Sequence, residues 1–283
     1  MATNTLSAAI QQLRTALGRD EAEMTDGELL YLFLNGGDNA ALAALVRRHA
    51  PMVWGVCRRL LRSDHDAEDA FQATFLVLVR KAASVKPREA VGNWLYGVAH
   101  QTAVRMRATA MKRAGREEQV VDMPEMVVEK ASHNDLLPLL DQELSCLPDK
   151  YRLLIVLCDL ESKTRKEVAR QLGIPEGTVA GRLARARAML AKRLARRGLA
   201  VSSGVLGTAL SEVASSASAP ATLVASTIKY ASLTAAGQAA AAAISPSVAA
   251  LTEGIMKFCD MLTTTLFFTT KRRYGRPSLK CFN

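Results

Sequence analysis

An all-α fold is predicted for this chain of 283 residues, and three observations predict it. Hydrophobic residues make up 49% of the chain and aromatic ones only 5%, with Ala, Leu, Val and Arg prominent, a composition that favours helices over sheet. Apolar residues recur at helical spacing, most clearly Val179, Leu183, Ala186, Leu190 and Leu194, which line one face of a helix. Residues 160–197, LESKTRKEVARQLGIPEGTVAGRLARARAMLAKRLARR, read as two helices about a tight turn. Gly173 suits the left-handed position just past the first of them, and Pro175 the start of the second.

In chain order, residues 1–23 form a short amphipathic helix with Leu6, Ile10, Leu13 and Leu17 on one side, expected to dock on the neighbouring domain. A helical domain is expected over 24–114. Thr25-Asp26-Gly27-Glu28 has the form of a capping box, Gly36-Gly37-Asp38 breaks the helix, and Pro51 marks a break or kink in the next one. Ser63 then caps DHDAEDAFQATFLVLVRKA, whose acids sit where the helix dipole favours them, with Phe71, Phe75, Leu78 and Ala82 as a buried stripe. A loop around Pro87 leads into VGNWLYGVAHQTAVRMRATAMKRAGR, which begins apolar and ends basic. Trp94 and Tyr96 could stack on unpaired bases, although a tryptophan in an apolar segment is more often core.

Residues 115–133 are acidic, contain Pro124 and show no sustained period, so a flexible linker is expected there. A second helical domain, 134–197, carries the helix-turn-helix. Residues 198–283 are an extension, rich in Ala, Ser and Thr, expected to be helical or disordered. Tyr230 to Thr252 is uncharged and long enough to span a bilayer, but its Ala, Ser, Thr and Gly content makes transfer poor, so membrane association is not expected.

The net charge of +10 points to a polyanionic partner. The second helix of the helix-turn-helix carries Arg182, Arg185, Arg187, Lys192, Arg193, Arg196 and Arg197, with no acid after Glu176. Such a helix can lie in the DNA major groove, with cations on phosphates. The other reading is a solvated basic face on an ordinary helical hairpin. The five cysteines and four histidines are scattered, so neither a disulfide framework nor a metal site is expected, and the N-terminus lacks the apolar core of a secretory signal. A reducing cytoplasm is the expected location. Walker A, Gly-x-Ser-x-Gly and His-Glu-x-x-His motifs are all missing, so neither an enzyme nor a cofactor is expected.

Taken together, the two helical blocks resemble the bacterial RNA polymerase sigma factors of the extracytoplasmic-function (ECF) group. DHDAEDAFQATFLVLVRKA followed by VGNWLYGVAHQTAVRMRATAMKR is similar to sigma region two. LSCLPDKYRLLIVLCDLESKTRKEVARQLGIPEGTVAGRLARARAML is similar to region four, and the resemblance spans about Met24 to Arg197. It implies a factor that binds core RNA polymerase, through the β′ clamp helices and the β flap, and directs promoter recognition, DNA melting and initiation. An anti-sigma factor is a further partner of the kind the resemblance admits.

The implied polymerase contacts are Asp66, Glu68, Asp69 and Gln72; Ala73 stands where the group commonly has Glu. The implied minus-10 reader and melting element comprises Asn93, Trp94, His100, Gln101, Arg105, Arg107, Lys112 and Arg113, after a loop that lacks the frequent Gly-rich form. The implied minus-35 reader comprises Thr164, Lys166, Glu176, Gly177, Thr178, Ala180, Gly181, Arg182 and Arg185, with Ala180-Gly181 in place of the common Lys-Ser. The acidic linker would thread the active-site channel of the polymerase. The competing reading is a stand-alone helix-turn-helix regulator, which needs no acidic clamp-binding helix and no melting module.

Overall fold

The computed structural model describes residues 23–117, 133–199, 218–237 and 244–257, with positions 202, 204, 206, 207 and 209–211. The expected helix at 1–23 and the linker proper lie almost wholly outside the described residues, as does the basic end of the chain. Among the described residues there are helices and turns but no strand.

Side-chain caps set where the first bundle begins. The Thr25 hydroxyl accepts from the Glu28 amide and the Glu28 carboxylate accepts from the Thr25 amide at 2.7 Å, opening α1 (Asp26–Gly36) with the expected capping box. Gly37, at φ 60°, ends it, and Asp38 caps α2 (Asn39–Leu60) by accepting from the Ala40 and Ala41 amides. The break considered at Pro51 does not occur: α2 is one helix of 22 residues. Pro51 faces solvent, while Val46, Ala50, Met52 and Val53 hold the helix against its neighbours on either side of it. That burial offsets the roughly 3 kcal/mol that an interior proline costs.

Ser63 caps α3 (Asp64–Lys81), and two 3₁₀ turns at Ala82–Ser84 and Arg88–Ala90 lead into α4 (Val91–Glu117). Phe71 meets Trp54 edge-on, with centroids 6.1 Å apart, and Phe75 at 5.1 Å, at the centre of this bundle.

The second bundle comprises α5 (His133–Ser145), α6 (Asp149–Ile155), a π-helical turn at Val156–Leu160, α7 (Arg165–Leu172) and α8 (Glu176–Arg196). Thr164 and Glu167 form a second capping box, and Gly173 ends α7 at φ 63°. Two helical bundles were expected, and two are found. Their packing was not expected: α2 and α4 lie against α5, α4 also meets α6 and the π turn, and a single apolar cluster runs through both bundles.

Beyond α8 most of the described residues of the extension are helical. Leu206 and Leu210 are buried, α9 (Ala221–Ala235) packs on α2 and α3, and a last helix occupies 246–257. Among the described residues no helix is long and apolar enough to cross a membrane. Cys57 and Cys158 are free thiols but Cys146 is disulfide-bonded, which corrects the expectation of none. Sequence spacing cannot reveal a pairing that only the fold brings together.

Candidate nucleic-acid interface

Turn chemistry presents α8 to solvent. Val179, Leu183, Ala186, Leu190 and Leu194 are its buried stripe, as their spacing predicts, and Val168 of α7 is buried against them. The opposite side carries the implied minus-35 residues: Glu176, Gly177, Gly181, Arg182 and Arg185 are exposed, Thr178 and Ala180 half-buried. Thr164 and Lys166 are exposed at the start of α7.

The cations of α8 divide by partner. Arg187 pairs with buried Asp159, while Arg193 (2.7 Å) and Arg197 (3.1 Å) share buried Glu143, so these three fix α8 to its own bundle. Arg182, Lys192 and Arg196 remain exposed, and Arg185 also reaches the Tyr151 hydroxyl. A helix whose first turns are open and whose exposed side is cationic has the form required to enter the major groove and rest on phosphates.

The implied minus-10 residues lie along α4 in two different settings. Arg105, Arg107 and Lys112 are exposed; Arg113 falls where the side chain is outside the described ones. Near the start of the helix, Asn93 accepts from Arg152 Nε at 3.1 Å, and His100 lies nearly parallel to the Tyr96 ring. Burial holds the His100 imidazole below its ordinary pKa, and the Arg152 and Arg59 charges reinforce this against the pull of Asp141. Trp94 and Gln101 are half-buried. Tyr96 is completely buried and its hydroxyl donates to Asp141 Oδ1 at 3.0 Å, so the suggestion that it stacks on bases does not hold in this arrangement. The cause is the second bundle, which sits over this end of α4.

On α3 the implied polymerase contacts also separate. Asp66, Glu68 and Gln72 are half-buried, whereas Asp69 is only 5% exposed and accepts from Ser245 Oγ at 3.3 Å.

Residues 45–113 match the family Sigma-70 region 2, and residues 137–190 the family Sigma-70, region 4. The chain is 32% identical over 173 residues to the ECF RNA polymerase sigma factor SigM of Mycobacterium tuberculosis, a match covering 61% of this chain and 86% of that protein. The chain belongs to the ECF RNA polymerase sigma factors. It is also 32% identical over 172 residues to SigE of Mycolicibacterium smegmatis, covering 56% of this chain and 65% of that sigma factor. Among solved structures, a sigma factor RpoE in complex with the anti-sigma factor NepR from Bartonella quintana matches at 22% identity and a TM-score of 0.26, covering 52% of this chain and 92% of that one.

Within this sigma factor, regions two and four are joined by buried charge that sequence reading did not find. Arg59 of α2 makes two bonds to Asp141 of α5, at 2.6 and 3.0 Å, and both side chains are buried. A second network centres on His49, completely buried, with Nδ1 2.8 Å from Glu161 and Nε2 3.5 Å from Asp26. Burial alone would lower the pKa of His49, but the Glu161 and Asp26 carboxylates overrule it and raise the pKa to about 9. The Asp26 carboxyl is desolvated too, yet His49, Lys163 and Arg48 hold it far below the usual range.

Asp26, His49 and Glu161 offer three donor atoms within 4.8 Å, a spacing that could hold a metal ion. Arg48, 2.7 Å from Asp26, and Lys163, 2.9 Å from Glu161, already supply the positive charge there. A metal would have to displace them, so the cluster is better described as an ion network joining the two regions. Gly92 makes room for it, since a methyl group at that position would overlap the Glu161 carboxylate. The sequence signal available was the pair of acids at the start of α1 and after the π turn, and nothing in their spacing linked them.

Proposed function

We propose that this sigma factor binds core RNA polymerase through the acidic start of α3 and reads promoter DNA at two places. Asp66, Glu68, Asp69 and Gln72 meet the β′ clamp helices, and region four meets the β flap. The first turns of α8 enter the minus-35 major groove, with Arg182 and Arg185 on base edges or phosphates. Asn93, Trp94, His100 and Gln101 capture the unpaired minus-10 strand, while Arg105, Arg107, Lys112 and Arg113 hold its backbone. The protein has no catalysis of its own and works in the cytoplasm. Residues 24–114 and 134–197 are its two working domains, with 115–133 as the linker.

The observation that supports this reading best is the exposed, cationic side of α8, together with a second helix, α4, whose far half is also cationic and exposed. A stand-alone regulator would have use for the first and none for the second.

The test is in-vitro transcription with purified core polymerase on a promoter library. Specific start sites appear only when the protein is added. R182A/R185A weakens promoter binding at least tenfold, given about 1–3 kcal/mol per base-reading arginine, and leaves core binding intact. D66A/D69A does the reverse. DNA binding without core-dependent initiation would establish the stand-alone regulator instead.

A further inference from the structure

A helix buried on more than its core-facing stripe must be covered there by something other than the core. On α3, Ala67, Phe71, Thr74, Phe75 and Leu78 face the region-two core, and the side pointing away from it carries Asp69, Ala73, Leu76 and Val77, all buried as well. What covers that second side belongs to the extension. Ile255, 1% exposed, packs with Val77 of α3 and Val98 of α4, and Trp94 and Met256 close around them. Ser245 donates to Asp69 at 3.3 Å, Arg80 reaches Met256 Sδ at 3.6 Å, and Arg105 donates to the Gly254 carbonyl at 3.4 Å. One short segment therefore holds Asp69, Trp94 and Arg105, an implied polymerase contact and two implied minus-10 contacts.

We propose that residues 244–257 are an internal competitor for the outer face of region two, so that core polymerase and the minus-10 strand gain this face only when the segment leaves. The proposal rests on the assignment of that face under Proposed function. Two features suit the segment to leaving. Its polar contacts are few and long, at 3.3 to 3.6 Å, and only Val248, Leu251, Thr252 and Ile255 supply buried side chains from its helix. A hold of that size is one that a large protein interface can outcompete, which makes the segment a switch and not a permanent part of the core. It also meets α3 and α4 at once, so one departure would uncover Asp69 on α3 together with Trp94 and Arg105 on α4.

The experiment uses the full-length chain and measures equilibrium binding to core polymerase. I255D places a charge against Val77 and Val98, undocks the segment, and is expected to tighten core binding about tenfold, within the usual range of coupling between two sites. V77C/I255C places two thiols at positions already in contact; the oxidised protein is expected to lose core binding and regain it on reduction, with V77C alone as the control for reductant. If I255D does not fold, the disulfide lock decides alone. Unchanged binding by both I255D and the oxidised lock would overturn the proposal while leaving the sigma-factor reading intact. If folded wild type and I255D both fail to bind core polymerase, the assignment of α3 itself falls and the proposal with it.

Discussion

His49 lies between Asp26 and Glu161 with no exposed surface, and its protonation ties region two to region four. Its pKa is raised from 6.5 to about 9, so the folded protein binds this proton more tightly than the unfolded chain does. The stabilisation is complete below about pH 6.5 and is lost as the pH rises through about 9. Thermal melts across that window are expected to show a fall in stability that H49Q removes; an identical slope in H49Q would place the effect elsewhere. The Asp26 and Glu161 carboxylates are shifted down, so their own contribution is present above the ordinary carboxylate range and is lost as the pH falls below it. Ser162, at φ 54°, is the residue between Glu161 and Lys163. Its left-handed backbone costs of order 1 kcal/mol and allows both neighbours to meet the same network.

The helix-turn-helix depends on Gly173, whose φ of 63° favours a residue without a β-carbon. G173A is expected to destabilise the protein by about 1 kcal/mol and to reduce minus-35 binding, because the turn fixes the angle at which α8 leaves α7. Chemical denaturation and DNA binding measured together check this, and a loss of binding without any loss of stability would mean that Gly173 touches DNA. In the first bundle α3 is held by Phe71, fully buried between Trp54 and Phe75. F71A is expected to cost about 3–5 kcal/mol, the usual range for a buried aromatic, and to fail in polymerase and DNA binding alike.

Across the whole molecule, regions two and four are closed on one another over the start of α4. The Arg59–Asp141 pair is the test of that closure, because removing one member leaves the other buried without its partner. R59A is expected to lose about 3–5 kcal/mol, whereas R59M/D141L, which removes both charges, loses much less. Hydrogen exchange at α4 distinguishes the two outcomes: the double variant keeps the amides near Asn93 to His100 protected, and the single variant exposes them. Equal protection in both would show that apolar packing alone, through Leu95, Tyr96 and Leu144, holds the regions together.

Much of the fold was written in local chemistry. Thr25 and Ser63 cap the helices that their side chains predict, Gly37 and Gly173 end helices as expected, and the spacing of Val179 through Leu194 identified the buried stripe of α8. Those signals act within a turn or two of chain, so a sequence displays them directly. Pro51 misled because its cost is local and the packing that offsets it is not. The exposed side of α8 was legible as well, since charge and apolar period are complementary on one helix. The burial of Tyr96, the closing of Asp26, His49, Glu161 and Lys163 into one network, and the covering of Asp69 by Ser245 were not. Each joins groups more than twenty residues apart, and the energy that pairs them arises only after folding has removed water from both sides. The sequence by itself determined the helices, their order and the chemistry each displays; tertiary structure decided which of those displays remain open, because burial is a property of neighbours that the chain does not name.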